Sequence, residues 1–92
     1  MPRAVTPEST PNPNAIRFTL GEDLLGAESR TYQSARDASG TPWAARLFEI
    51  NGIVGLFAVR DFVTVNKEPH TPWESIVPHV VEVLQSDGFG PA

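Results

Sequence analysis

The chain has 92 residues and a mass of 10.0 kDa, room for one domain and little more. It contains no cysteine, which excludes disulfides and thiolate ligation of zinc or an iron–sulfur cluster by this chain. The net charge is −4 and the seven basic residues (Arg3, Arg17, Arg30, Arg36, Arg46, Arg60 and Lys67) are scattered singly, so no basic stripe exists to displace counterions from a phosphate backbone.

No apolar run approaches the roughly 18 residues of a membrane span, and the N-terminus has no signal-peptide layout, so the cytoplasm is the expected location. A chain this short has a thin core, expected to rest largely on Phe18, Trp43, Phe48, Phe57, Phe62 and Trp73.

Four prolines in residues 1–14 hold the N-terminus away from helix. Residues 1–12 are expected to form an extended Pro-rich arm, in which Ala4 to Glu8 can lie along a sheet edge. Asn12-Pro13-Asn14 reads as a turn. Ala15 to Leu20 alternates, with Ile16, Phe18 and Leu20 on one face and Arg17 and Thr19 on the other, which predicts a half-buried strand. Gly21 to Glu28 is a polar loop. Its carboxylates Glu22, Asp23 and Glu28 admit direct iron or calcium binding as one alternative, although their spacing matches no EF-hand loop. Ser29 to Ser34, around Tyr32, is expected to complete a first hairpin with the preceding strand.

Thr41-Pro42 predicts a helix start, with a hydroxyl cap followed by proline at the first helical position. Trp43, Leu47 and Ile50 share a face flanked by Ala44 and Phe48, and Asn51-Gly52 ends the helix. Gly52 to Lys67 then reads as a central hairpin with Arg60 and Asp61 at its tip, its turn type left open by the absence of an Asn-Gly or Asp-Gly pair. Thr71-Pro72-Trp73-Glu74 supplies a capping box for a second helix. Trp73, Ile76, Val77, Val80 and Leu84 form its core stripe, and Pro78 is expected to kink it on the solvent side. Residues 87–92 are read as a tail.

These elements predict a two-layer α+β domain of order ββαββα: an antiparallel four-stranded sheet with two helices on one face. Both helices open Thr-Pro-Trp, which internal duplication and shared capping chemistry explain equally well. No catalytic constellation emerges. His70 and His79 share no acidic neighbour, Gly52 and Gly55 precede no Lys-Ser/Thr, and Asp61 and Glu68 have nothing to place them in one pocket. The chain is therefore expected not to be an enzyme and to need no cofactor.

Three motifs in order carry a family resemblance: Thr10-Pro11-Asn12-Pro13-Asn14-Ala15 running into Arg17-Phe18; Thr41-Pro42-Trp43-Ala44 with Leu47-Phe48, Ile50 and Gly52-Ile53; and Phe57, then Asp61-Phe62-Val63-Thr64-Val65 and Lys67, followed by Trp73 and Pro78. Together they resemble the N-terminal domain of the Nfu/NifU-like iron–sulfur scaffold proteins. Two departures stand out. Val59 occupies the place near the hairpin tip where the family often has glycine, and the Cys-x-x-Cys domain of longer relatives is absent, as in standalone forms of the domain. The resemblance implies a non-enzymatic interaction module accessory to iron–sulfur cluster assembly, whose protein partner is a cysteine-bearing scaffold or carrier. Asn12, Asn14, Arg60 and Asp61, all on predicted turns, are the candidate partner contacts. The alternative is a structural or regulatory adaptor outside that pathway, since fold does not dictate function.

Overall fold

The computed structural model of the chain describes residues 4–21, 23 and 25–85. Five strands, β1 (Thr6–Ser9), β2 (Ala15–Thr19), β3 (Arg30–Tyr32), β4 (Ile53–Val59) and β5 (Phe62–Lys67), form one antiparallel sheet in the order β1-β2-β5-β4-β3. Helix α1 (Pro42–Phe48) lies between β3 and β4 in the chain, and α2 (Val77–Gln85) follows β5 after a 3₁₀ turn at Trp73–Ser75. The α+β class and the two helices match the sequence-based expectation. The four-stranded sheet and the order ββαββα do not, because the Pro-rich arm contributes β1 as a fifth strand. Pro7 lies at a sheet edge, where a missing N–H is tolerated.

The expected first hairpin does not form. β2 pairs with β5, placing Ile16 opposite Val65 and Phe18 opposite Val63, while β3 pairs with the outer side of β4 through Tyr32 and Leu56. Burial decides between these pairings. β5 offers β2 two apolar partners on the core face, whereas the three-residue β3 offers only Tyr32. Residues 20–29 are long enough to carry the chain past the two intervening strands.

One core cluster joins sheet to helices: Phe18, Leu20, Leu56, Ala58, Val63 and Val65 from the sheet side meet Trp43, Ala44 and Leu47 of α1 and Val80, Val83 and Leu84 of α2. The adjacent positions along β4 and β5 face away from this cluster. Phe57 and Phe62, expected in the core, lie on that opposite face, Phe57 at 36% relative exposure. A bulge in β4 inserts Val54 between the Ile53–Lys67 and Gly55–Asn66 pairs. It resets the alternation so that Ile53 and Leu56, three residues apart, are both buried, and it leaves Val54 exposed.

The helix starts also differ from expectation. Thr41 precedes α1 in extended backbone, with proline at the first helical position, but its hydroxyl caps nothing and lies 3.2 Å from the Tyr32 hydroxyl. Tyr32 stands edge-on to Trp43, with ring centroids 5.8 Å apart, and this contact ties β3 to α1. The expected capping box at Thr71 is absent as well, because the Thr71 hydroxyl donates to the Glu68 carboxylate instead. Pro78 does not kink a long helix. The segment divides into the 3₁₀ turn and α2, and Pro78 sits in the first turn of α2, where a missing N–H costs no intrahelical bond. The expected tail at residues 87–92 lies outside the described residues.

Candidate functional site

Among the described residues, exposed apolar surface collects on the face of the sheet that carries no helix. Strand register lays Glu8, Arg17, Thr64, Phe57 and Thr31 in one row across all five strands, and Thr6, Thr19, Phe62 and Val59 in the next. Phe57 and Phe62 are diagonal neighbours on adjacent strands, with ring centroids 6.2 Å apart and planes tilted by 41°. The Arg17 guanidinium lies 5.5 Å from the Phe62 centroid and donates from Nε (3.1 Å) and Nη2 (2.9 Å) to Oε1 of Glu8. With Val54, 48% exposed at the bulge, and half-buried Val59, these rings make an apolar strip along β4 bordered by threonines and one ion pair.

The sequence-predicted contacts divide between the two ends of β5. Arg60 and Asp61 form the hairpin tip, where Arg60 takes a φ of 53°, the only positive value at a non-glycine among the described residues. That strain is held by the neighbouring loop: Leu25 N–H donates to Arg60 O (3.0 Å), Leu20 N–H to Asp61 O (2.7 Å), and Arg60 N–H to Gly26 O (2.8 Å). Asn12 and Asn14 lie at the opposite end. The Asn12 side chain accepts from Asn14 N–H (2.9 Å), an Asx turn, and the Asn14 side chain accepts from Lys67 Nζ (3.2 Å).

Lys67 is 8% exposed, and its ammonium also donates to Glu68 O (3.2 Å) and lies 5.5 Å from the Trp73 ring. Trp73 Nε1 donates to Pro13 O (2.9 Å). Two of the recognised motifs, the Asn-Pro-Asn turn and the β5 terminus with Trp73, thus close on each other in space. Nearby, the hydrogen bond from Thr71 holds the Glu68 carboxyl below its ordinary range, helped by His70 N–H and outweighing desolvation.

Sequence reading missed Phe57, Phe62 and Val54 as surface residues, although the signal was available. A two-residue tip that pairs Val59 with Phe62 puts Phe57, Val59, Phe62 and Thr64 on one face and Val63 and Val65 on the other. Among the described residues no three His, Cys, Asp or Glu side chains gather; of the candidate loop carboxylates, Asp23 accepts from Gly26 N–H (2.9 Å), and Glu22 lies outside the described residues. With no cysteine as well, the chain offers no donor set that fits an iron–sulfur cluster. No helix among the described residues is long and apolar enough to cross a membrane.

Comparison with known proteins agrees with this architecture. Residues 5–88 match the family described as scaffold protein Nfu/NifU N terminal. NifU-like protein 5, mitochondrial, of Arabidopsis thaliana is 34% identical over 77 residues, which are 84% of this chain and 28% of that protein. The Drosophila erecta protein named NFU1 iron-sulfur cluster scaffold homolog, mitochondrial, is 37% identical over 79 residues, again 84% of this chain and 28% of that protein. This chain therefore spans little more than a quarter of the length of these relatives, and their mitochondrial names lend no support to the cytoplasmic expectation. Among solved structures, protein SAV1430 of Staphylococcus aureus superposes with a TM-score of 0.75 at 32% identity, covering 86% of this chain and 95% of that one. The NifU-like protein of Saccharomyces cerevisiae superposes with a TM-score of 0.80 at 25% identity, covering 91% and 76%. Fold, motifs and sequence similarity converge: the chain belongs to the Nfu/NifU N-terminal scaffold family.

Proposed function

We propose that this chain is a non-enzymatic docking module accessory to iron–sulfur cluster assembly, engaging a cysteine-bearing scaffold or carrier through the helix-free face of its sheet. The observation that carries this reading is the pair of exposed Phe57 and half-buried Phe62 on that face, in a chain of this family. Exposed aromatics on a rigid sheet offer large contact area at low entropic cost. The cluster is cargo handled by the partner, because this chain has no thiolate to hold it.

Size sets the strength of the contact. Five strands about 4.8 Å apart make a face about 19 Å wide, and strands of this length give it a footprint of roughly 400 Å². A standard stable interface takes about 800 Å² from each partner, so the contact belongs to the transient class. Arg60 and Asp61, next to Val59 and Phe62, form its rim. Asn12 and Asn14 lie at the other end of β5, where their amide oxygens accept from Asn14 N–H and Lys67 Nζ.

The test is affinity capture with immobilised chain, comparing wild type with Phe57→Ser. Wild type recovers a cysteine-bearing cluster-assembly protein and the variant loses most of it. Equal recovery by the two, or recovery of no assembly protein by wild type, overturns the reading.

A further inference from the structure

The opposite side of the molecule, where the helices pack, carries a concave surface. A cleft of about 470 Å³ runs between the end of α1 and the body of α2, with Arg46, Glu49 and Ile50 on one wall and His79, Glu82 and Val83 on the other. Its volume is within the range of side-chain and small-ligand pockets. Ile50 is half-buried and Val83 nearly buried, so both give the cleft an apolar floor, while Glu49 and Glu82 are exposed at its rim.

Charge separates this surface from the open sheet face. On the sheet, Arg17 is ion-paired with Glu8, and Arg60 stands next to Asp61 in the chain. From the start of α1 to the end of α2, leaving out the β4–β5 hairpin and the loop after it, the described residues hold three carboxylates (Glu49, Glu74 and Glu82) and one guanidinium, Arg46. Of these, Glu49, Glu82 and Arg46 line the cleft beside His79, an excess of one carboxylate over the guanidinium held between two low-dielectric walls. A partner with acidic side chains is repelled here. One that presents lysine or arginine beside an apolar side chain satisfies both rim and floor.

We infer that the α1/α2 cleft is a second docking site, for a cationic amphipathic peptide segment. It is independent of the sheet-face reading: the two surfaces lie on opposite sides of the sheet, and either can be engaged while the other is free. The arrangement makes the domain a bridge between two proteins.

The experiment is an NMR titration of the full 92-residue chain with a synthetic amphipathic peptide of about 15 residues built from Leu, Ala and Lys, and with a matched peptide of Leu, Ala and Glu. The lysine peptide is expected to shift the amides of Glu49, Ile50, Glu82 and Val83, and the glutamate peptide to leave them unmoved. The double variant Glu49→Gln, Glu82→Gln changes two exposed side chains and should retain the wild-type fold by circular dichroism. Its affinity for the lysine peptide should fall about tenfold. No binding of the lysine peptide, equal binding of both peptides, an unchanged affinity in the double variant, or shifts confined to Phe57 and Phe62 would each overturn the site. Phe57→Ser should bind the lysine peptide as wild type does, which separates failure here from failure of the sheet-face reading.

Discussion

Gly52 shows how a single backbone position can be over-determined. Its φ of +102° lies in the region that only glycine enters without strain, and an added Cβ would stand 2.7–2.8 Å from the Thr71 side chain. Gly52→Ala should therefore cost about 2–4 kcal/mol, strained φ and overpacking together, read as a drop in the urea midpoint. The need for a turn there was legible in Asn51-Gly52, although α1 ends earlier, at Phe48 with Glu49 as its C-cap, and Gly52 makes the turn into β4 rather than closing the helix. The contact with Thr71 was not legible, because nothing local brings residue 71 against residue 52.

Glu68 makes a pH prediction. Its folded-state carboxyl is held below the ordinary value of 4.5, first by the Thr71 hydroxyl. The unfolded chain thus binds the proton more tightly than the folded one. The stabilising contribution is fully present above pH 4.5 and is lost as pH falls through the lower folded value. Melting temperature followed below pH 5 should decline less steeply in Glu68→Gln than in wild type; parallel curves would show that the carboxylate contributes nothing.

Among elements, the second helix departs most from its sequence signature. The Thr-Pro-Trp-Glu pattern has the capping-box spacing, yet Thr71 turns to Glu68, and a 3₁₀ turn takes the place of the first helical turn. Pro78 has no N–H to give to the carbonyl four residues back, at Glu74, so the 3₁₀ turn cannot run on into α2 as one continuous α-helix, and the helix restarts at Val77. Pro78 then occupies a first-turn position. Pro78→Ala should change stability by less than about 1 kcal/mol, where relief of a true mid-helix proline would raise it by about 3 kcal/mol. Chemical denaturation distinguishes the two outcomes.

At the scale of the whole molecule, adjacent residues in β4 have opposite roles. Leu56 is 1% exposed in the core and Phe57 is 36% exposed on the open face. Leu56→Ala should cost about 2–5 kcal/mol, and Phe57→Ala about 1 kcal/mol, the worth of its cross-strand pairing with Phe62. A large loss for Phe57→Ala would mean that the second face of the sheet is covered. The same asymmetry explains why composition misled: a phenylalanine in a small chain is a core residue by default, and only parity across the hairpin tip contradicts that default.

What the residues determined by themselves is what depends on near neighbours. Alternation marked β2 and β5, the 3.6-residue stripe marked the core faces of both helices, Asn-Pro-Asn and Arg60-Asp61 marked turns, and the lack of cysteine removed thiolate chemistry. Three ordered motifs pointed to the family. Tertiary structure decided the rest: that β5 lies between β2 and β4, that the arm adds a fifth strand, that Lys67 closes on the Asn14 turn, and that Phe57 and the half-buried Phe62 lie on the face away from the core. Pairing partners are chosen by how much apolar surface the whole sheet can bury against two helices, a sum over distant residues that no local stretch contains.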